Sequence, residues 1–399
     1  MVKLLSSSFE ILPVPTIDTI LRHLERIGRT CYKSENKIMN DSDIILIQKW
    51  LNSKHWAMLE HYSFRFEATE NLYRKTQLID NGEYLHLLPI VKTSFIHPQT
   101  NQPRFIISMS IRGIYDLAGS YHVYDYAHYL RSTYPQFAFM FPDTLFTKQV
   151  NNADADLVLN VLPESMENNI LRILWDEDLT QEEIPFHAYR TIKFVCDRGV
   201  SHEAVRSRGS FAQESQRWIN YNQDKFDKQI SVIPPFKIGQ TVLKCSPDCP
   251  KESCDCGKKD SAEAFTIWFH AMQYLEKAYM RLIELGQPPE IARSVLPNST
   301  KTEINITFNI NHWRHFFRIR CHKTAHPDMR KITLPLLIKM RDLYPNVFDD
   351  LVDLYHKEID EYAQMNLSNL IDDLHDWVNT STPKADTIEC DLADRKSVV

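Results

Sequence analysis

The segment from Arg206 to Trp218, RSRGSFAQESQRW, concentrates side chains that could bind an anionic organic ligand. Guanidinium groups form paired hydrogen bonds with phosphate and carbonyl oxygens, while serine and glutamine supply short-range donors and acceptors for a base or a ribose. A solvated helix end with surface ion pairs is the alternative for such a cluster. Small and aromatic residues lie between the polar ones, which favours a lined pocket.

A second cluster of basic residues lies between residues 290 and 330. Arg293 is on a predicted helix, and Arg320 ends a later helix, HWRHFFRIR, whose other side is aromatic. Taken alone, the arginines of this later helix indicate an exposed face, and His326 indicates a residue at a helix entry.

A third stretch, KHWAMLEHYSF, holds His55, Glu60 and His61. These types can bind a metal, but their spacing matches no recognisable ligand motif, so a metal is disfavoured here.

Composition excludes several classes of function. The 399 residues include only nine glycines, each isolated, so no G-x-G-x-x-G or Walker loop exists. A net charge of -6 argues against non-specific binding to DNA or RNA. No apolar run approaches the roughly 18 residues of a membrane span. We therefore expect a cytoplasmic protein with no nucleic-acid or membrane partner.

Helices and strands mix in the sequence without a regular βαβ alternation, which predicts an α+β fold with a mixed or antiparallel sheet and long helices. Ser201 is the predicted N-cap of a helix carrying Glu203 in its first turn. Residues 120–183 indicate irregular helix and loop. The main predicted strands are 61–68, 104–111, 191–199 and 302–310, and the main predicted helices are 16–33, 41–53, 262–285, 312–320 and 327–344.

The three clusters together resemble the flavin-dependent thymidylate synthases. That family carries Arg-His-Arg, seven residues, Ser, one residue, then Arg and usually Tyr; this chain has Arg206-Ser207-Arg208, six residues, then Ser215-Gln216-Arg217-Trp218. Supporting matches are RTCYKSENKI, MLEHYSF, CDRGVSHE, SFAQESQRW, VLPNSTKTE and WRHFFRIR with AHPDMR. The resemblance covers roughly residues 20–67, 185–235 and 262–345.

The resemblance implies one domain over residues 1–380, with insertions at about 70–183 and 236–260 and a disordered tail at 381–399. It implies a homotetramer with sites between subunits. The activity implied is methylation of dUMP to dTMP, with carbon from methylenetetrahydrofolate, a folate, and electrons from NADPH through FAD.

The resemblance also implies site residues by position. Those facing FAD would be His55, Arg206, Ser207, Arg208, Asn309 and His326. Those facing dUMP would be Glu203, Gln213, Ser215, Gln216, Arg217, Arg293 and Arg320. Those expected to act in catalysis would be Arg206, Arg208, Ser215, Arg217 and Arg320.

The residue types fit this chemistry independently. Negative charge develops on the pyrimidine when C5 of uracil is activated, and fixed arginine and amide donors stabilise it without a covalent nucleophile. Ser215 has no His or Asp partner within its motif and is expected to be a ligand donor. Cys196 and Cys321 could be nucleophiles, but a buried core thiol is the favoured interpretation for Cys196.

Two departures from the family pattern bear on function. Ser207 replaces the central histidine of the signature, and one residue is missing between Arg208 and Ser210. These changes leave two alternatives open: a related one-carbon transferase that finishes differently, for instance by hydroxymethylation, and a nucleotide-binding pseudoenzyme.

Four of the eight cysteines crowd into one short stretch, which indicates reduced thiols and no spaced disulfide framework. Cys245, Cys249, Cys254 and Cys256 could bind one structural zinc. The Cys-x-Cys end is cramped for a zinc knuckle, so a flexible reduced loop is the alternative.

Overall fold

The computed structural model describes residues 2–77, 90–118, 123–146, 170–237, 259–364 and 374. It confirms the α+β class, with helices packed on antiparallel sheets. The strands are β1 (Lys3–Leu4), β2 (Ser8–Ile11), β3 (Ser63–Ala68), β4 (Val91–Ile96), β5 (Pro103–Ser110), β6 (Ile170–Ile173), β7 (Tyr189–Asp197), β8 (Ser210–Gln213), β9 (Ser231–Val232) and β10 (Lys301–Asn309).

The helices follow the predicted periodic segments closely. They are α1 (Ile20–Thr30), α2 (Ser42–Asn52), α3 (Glu70–Gln77), α4 (Ile111–Leu117), α5 (Tyr124–Thr133), α6 (Asp143–Phe146), α7 (Ile184–His187), α8 (Arg198–Ala204), α9 (Lys259–Glu284), α10 (Pro289–Ala292), α11 (Ile310–Arg320), α12 (Pro327–Leu343), α13 (Asp349–Leu354) and α14 (His356–Ala363). Within the described ranges, no helix is both long and apolar enough to cross a membrane.

Strands β2, β7, β10 and β8, in that order, form an antiparallel sheet that we call the site sheet. Its centre is the pairing of β10 with β7, in register from Lys301 opposite Asp197 to Asn309 opposite Tyr189. The interior residues of β10 are buried without alternation, because helices cover both faces of this strand. Such a buried pair is a rigid support for the loops at its ends.

Strands β4, β5, β3 and β6 form a second antiparallel sheet. Three of its strands lie within residues 70–183, and β6 falls where irregular structure was expected. Aromatic contacts fill its core: the rings of Phe66 and Tyr126 lie 4.9 Å apart, and Phe64 meets Phe137 edge-on at 5.4 Å. Each buried phenylalanine of this kind contributes roughly 1.5–3 kcal/mol through its apolar area. Whether the segment is an insertion in a family core stays a prediction.

Helix α9 packs on a third, smaller core. Phe265, Phe269 and Tyr279 from this helix are buried against Ile219 and Tyr221, which follow the signature segment. The tail at 381–399 and the cysteine cluster at 245–256 lie outside the described residues.

Candidate active site

Helix α8 begins one turn earlier than the sequence predicts. Its N-cap is Asp197, whose carboxylate accepts a hydrogen bond from the Val200 N–H at 2.9 Å. The predicted cap at Ser201 is wrong: this residue is buried within the helix and its hydroxyl donates to the Arg198 carbonyl at 2.9 Å. Glu203 therefore lies in the last turn of α8.

The loop between α8 and β8 accommodates the missing signature residue through a glycine. Gly209 has φ of 150°, and a Cβ at this position would clash with the ring of Phe308. The hydroxyl of Ser210 then donates to the Glu60 carbonyl at 3.1 Å. Because only glycine permits this close approach, the shortened loop is held against β10.

The three residues that open the signature lie on this loop. Arg206 and Arg208 are exposed and Ser207 is half-buried. Neither arginine forms an ion pair with any carboxylate in the described part of the chain. Their guanidinium groups are therefore available to a ligand.

The end of α8 contacts the end of α11 through an arginine. The Arg320 guanidinium donates to Glu203 Oε2 at 3.3 Å and also to the Glu203 carbonyl. Burial lowers the pKa of Arg320, Glu203 opposes this shift, and the nearby charge of Arg206 adds to it. The Nε of Arg320 is buried without a hydrogen-bond partner. Thus Glu203, Arg206 and Arg320 lie together.

His326 lies at the edge of this group. It is the N-cap of α12, where its Nδ1 accepts from the Asp328 N–H at 3.3 Å. Burial raises the pKa of Asp328, and the charge of Glu203 contributes in the same direction. His326 is exposed, and its Nδ1 lies 3.4 Å from the Asp328 carboxylate.

A second group of arginines lies on the other side of the signature segment. Arg217 Nε donates to Glu290 at 3.0 Å, and both side chains of this pair are about half exposed. Arg293, one turn after Glu290, is exposed and has no carboxylate partner among the described residues. Arg217 also lies over the Trp218 ring, 5.3 Å from its centroid.

The polar residues between the two arginine groups are fixed by the strands. Gln213 Nε2 donates to the hydroxyls of Ser201 at 2.9 Å and Thr302 at 3.2 Å. The Ser215 N–H donates to the Cys31 carbonyl at 2.9 Å. No described side chain hydrogen bonds to the Ser215 hydroxyl, which agrees with a role as a ligand donor.

Gln216 is a buried amide, at 5% exposure, beside the buried hydroxyl of Tyr221. Burial raises the pKa of Tyr221 well above its usual value, and a hydrogen bond with the Gln216 amide partly offsets this shift. Because an amide has several donor and acceptor positions, Gln216 keeps hydrogen-bonding capacity for a ligand.

His55 lies in a cleft of about 480 Å³. Helices α1 and α2 and the segment between them form most of its wall. Basic side chains dominate the lining and no carboxylate belongs to it. The lining residues are Arg29, Tyr32, Lys33, Ser34, Asn36, Lys37, Leu46, Lys49, Trp50, Ser53, His55 and Lys225.

Lys33 connects this cleft to the site sheet. Its Nζ donates to Glu303 on β10 at 2.7 Å. Burial opposes the charge of Glu303, but Lys301, Lys33 and Lys193 more than offset it and hold the pKa of Glu303 well below its usual range. The cluster of Glu303 with Lys33, Lys193 and Lys301 therefore connects one wall of the cleft to β10.

Asn309 lies elsewhere, as the N-cap of α11, where its side chain accepts from the His312 N–H at 2.8 Å. It lines an open groove of about 640 Å³. Neither Asn309 nor His326 lines the cleft that holds His55. Within one chain, the predicted flavin residues therefore do not surround a single cavity.

The remaining chemical alternatives are not supported. Cys196 and Cys321 are buried, and burial raises the pKa of Cys321 to about 12 and that of Cys196 well above its usual value. Both are core thiols. Within the part of the chain that the structure describes, no group of three His, Cys, Asp or Glu residues could hold a metal. Glu60 pairs with Arg112 and His61 with Thr307.

Residues 142–346 match the family model described as thymidylate synthase complementing protein, which is just over half of the chain. The chain belongs to this family. All of the predicted dUMP residues lie inside the matched range.

Individual relatives carry the name flavin-dependent thymidylate synthase. The protein of Geobacter sulfurreducens is 29% identical over 154 residues, which is 38% of this chain and 56% of the relative. A probable flavin-dependent thymidylate synthase of Mycobacterium phage L5 is 30% identical over 178 residues, 44% of this chain and 68% of the relative. The Pyrococcus horikoshii protein is 31% identical over 190 residues, 46% of this chain and 68% of the relative. The chain thus spans little more than half the length of the first of these relatives.

Among solved structures, the UMP/dUMP methylase PolB of Streptomyces cacaoi bound with 5-Br UMP matches 42% of this chain and 74% of its own. The identity is 21% and the TM-score 0.33, too low to support an inference about this chain.

Two features of the site were missed from the sequence. The first is Arg198, which lies within the quoted match CDRGVSHE but received no role. The second is the basic lining of the His55 cleft, much of which comes from RTCYKSENKI. The available signal was the recurrence of basic residues every four positions, at Arg29, Lys33 and Lys37.

Proposed function

We propose that this chain is a flavin-dependent thymidylate synthase, which methylates dUMP to dTMP with carbon from methylenetetrahydrofolate and electrons from NADPH through FAD. The observation that carries the proposal is the signature segment, in which Arg206 and Arg208 have no carboxylate partner in the described ranges, as is also true of Arg293 after α10. Without a bound anion, these unpaired guanidinium groups would contribute nothing to the folded chain.

The proposed nucleotide site extends from Arg320 across the signature segment to Arg293. Arginines bind the phosphate and stabilise the negative charge that develops on the pyrimidine. The residues proposed to face dUMP are Glu203, Gln213, Ser215, Gln216, Arg217, Arg293 and Arg320. Ser215 donates a hydrogen bond and forms no covalent bond with the substrate.

The residues proposed to hold the flavin also suit that group. FAD carries an anionic pyrophosphate and aromatic rings, and the His55 cleft offers cationic side chains with Trp50 and Tyr32. When bound, FAD would supply the hydride that reduces the transferred carbon. Arg206, Ser207 and Arg208 would contact it from the loop, and Asn309 and His326 from the starts of α11 and α12.

Separate cavities for His55 and Asn309 support an assembly of several chains. We infer that one flavin site combines His55 from one chain with Asn309 from another. A homotetramer with sites between subunits meets this requirement. A structural zinc on the cysteine cluster stays a prediction from the sequence, because that segment lies outside the described residues.

The test measures bound flavin by absorbance, tritium release from dUMP labelled at C5, and the mass of the product. We expect a yellow protein that releases tritium and forms dTMP. A product heavier by one oxygen would favour hydroxymethylation. Nucleotide binding without tritium release would favour the pseudoenzyme.

Mutation separates the arginines that bind dUMP from those that do not. Arg217→Ala and Arg293→Ala should each weaken dUMP binding by about 1.5–3 kcal/mol, the range for charged hydrogen bonds. Arg281→Ala is the control, because this exposed arginine pairs only with Glu284 among the described residues, on α9. Unchanged dUMP affinity in both site variants would contradict the assignment.

A further inference from the structure

Arg198, the first residue of α8, has an unpaired guanidinium beside the proposed phosphate site. The side chain is partly buried, and no carboxylate in the described ranges pairs with it. Burial lowers the pKa of Arg198, Tyr221 opposes the shift, and the positive charge of Arg293 adds to it. The charges of Arg198 and Arg293 are therefore close enough to repel each other.

The backbone fixes this arrangement. The Arg198 N–H donates to the carbonyls of Asn298 at 2.9 Å and Thr300 at 3.2 Å, which lie in the loop a few residues after Arg293. The Asp197 cap holds the same turn of α8 from the other side. These main-chain contacts place the start of α8 beside the loop that follows Arg293.

The charge of the group matches one kind of anion. Arg198, Arg217 and Arg293 supply three guanidinium groups against one carboxylate, that of Glu290. The Arg217–Glu290 pair is half exposed and contributes little, so a ligand can compete with it. Two uncompensated positive charges suit the dianion of a phosphate monoester, whose second pKa is about 6.

A buried amide next to the group supplies an independent indication of a ligand. Gln216 is a buried amide at 5% exposure that hydrogen bonds to Tyr221, and the Tyr221 hydroxyl also lies near Arg198. An amide has more donor and acceptor positions than this one contact uses, so arginines and an amide near one end of the signature segment fit a phosphate attached to a hydrogen-bonding base.

We propose that Arg198 binds the phosphate of the nucleotide together with Arg217 and Arg293, and so sets the preference for a nucleoside monophosphate over the free nucleoside. This inference rests on the proposed function. Arg198 adds a third guanidinium group to the proposed phosphate site. It lies at the start of α8, before the signature segment.

The experiment compares the Kd of dUMP and of deoxyuridine for the full chain with FAD added. Arg198→Gln should raise the Kd of dUMP roughly 10- to 100-fold and leave that of deoxyuridine within about twofold. Arg198→Lys should recover part of the loss, because lysine keeps the charge without the fork. Arg172→Gln is the control: this half-exposed arginine on β6 pairs with Glu67 on β3 and with Asp178 in the turn after β6.

The pH dependence gives a readout that a purely structural role would not move. Below about pH 6 the phosphate loses its second charge, so wild-type affinity for dUMP should fall. In Arg198→Gln this fall should be smaller. Circular dichroism of each variant checks that it is folded.

Three outcomes would overturn the inference. Equal dUMP affinity in wild type and Arg198→Gln would exclude Arg198 from the phosphate site. An equal loss for deoxyuridine and dUMP would mean that Arg198 acts on the fold or the base. A wild-type chain that binds no dUMP would refute the proposed function itself, a result distinct from the other two.

Discussion

In the described part of the chain, the arginines of the second sheet are paired with carboxylates, whereas several arginines around the signature segment are not. Arg104, with 3% of its side chain exposed, donates to Glu183 at 2.9 Å and to Glu67 at 3.1 Å. Arg198 and Arg293 have no such partner among the described residues. A charge that serves the fold needs its counter-ion within the chain, since burying it alone costs several kcal/mol. We propose that a ligand supplies the counter-ion for the charges left unpaired around the signature segment.

The largest expected effect tests the paired side of this comparison. Arg104→Ala should lower the free energy of unfolding by about 3–5 kcal/mol, because it leaves the carboxylate of Glu183 buried without its partner. Arg293→Ala should change it by less than about 0.5 kcal/mol, as is usual for an exposed side chain. Urea denaturation of both variants measures the contrast. Equal losses would show that pairing does not separate structural from ligand-binding arginines.

Three buried histidines should make the free energy of unfolding depend on pH. Burial lowers the pKa of His23 to about 4, and those of His61 and His187 to about 3. His61 hydrogen bonds to Thr307 of the site sheet at 2.8 Å, and His187 to Ser108 of the second sheet at 2.7 Å.

Acid should therefore destabilise both sheets. As pH falls below about 6.5, the unfolded chain takes up protons on these histidines and the folded chain does not, so unfolding becomes easier. Between pH 7 and 5.5 the loss should be about 1 kcal/mol per histidine. Denaturation across this pH range measures the loss, and His187→Gln should reduce the pH dependence of the free energy of unfolding by the contribution of one histidine. A stability that rises on acidification would contradict the buried neutral state.

Much of the fold follows from local pattern. The alternation in TEINITFNI and the periodicity after Pro327 predict β10 and α12 to within about a residue. The N-cap of α8 does not follow, because Ser201 and Asp197 are equally good caps and only the structure shows which carries the first turn. Strand β6 does not follow either, since its stability comes from pairing with β3, about a hundred residues earlier.

The candidate site also has a part that the sequence predicts and a part that it does not. The residues on one continuous segment, from Glu203 to Arg217, were predicted from the sequence because the chain fixes their spacing, and their roles stay predictions. The role proposed for Arg198 could not be predicted, because it rests on the lack of an ion-pair partner among the described residues, which a sequence does not display. His55 and Asn309 were assigned to one ligand from their motifs, while one chain places them in different cavities.

The last expected effect concerns Ser207, which departs from the family pattern in the loop between α8 and β8. The loop is held by Gly209 against Phe308 and by Ser210 on the Glu60 carbonyl, so neither end can move to fill the place of a histidine ring. Burying a ring contributes roughly 1–2 kcal/mol, or a factor of about 5–30 in affinity. Wild-type protein should therefore bind FAD but lose part of it on purification, with activity restored by added FAD.

Ser207→His with one residue inserted after Arg208 should tighten FAD binding by that factor, measured by fluorescence titration, and insertion alone is the control. A wild-type chain that keeps a full complement of FAD through extensive dialysis would refute the loosened site, and one that binds none would favour the pseudoenzyme.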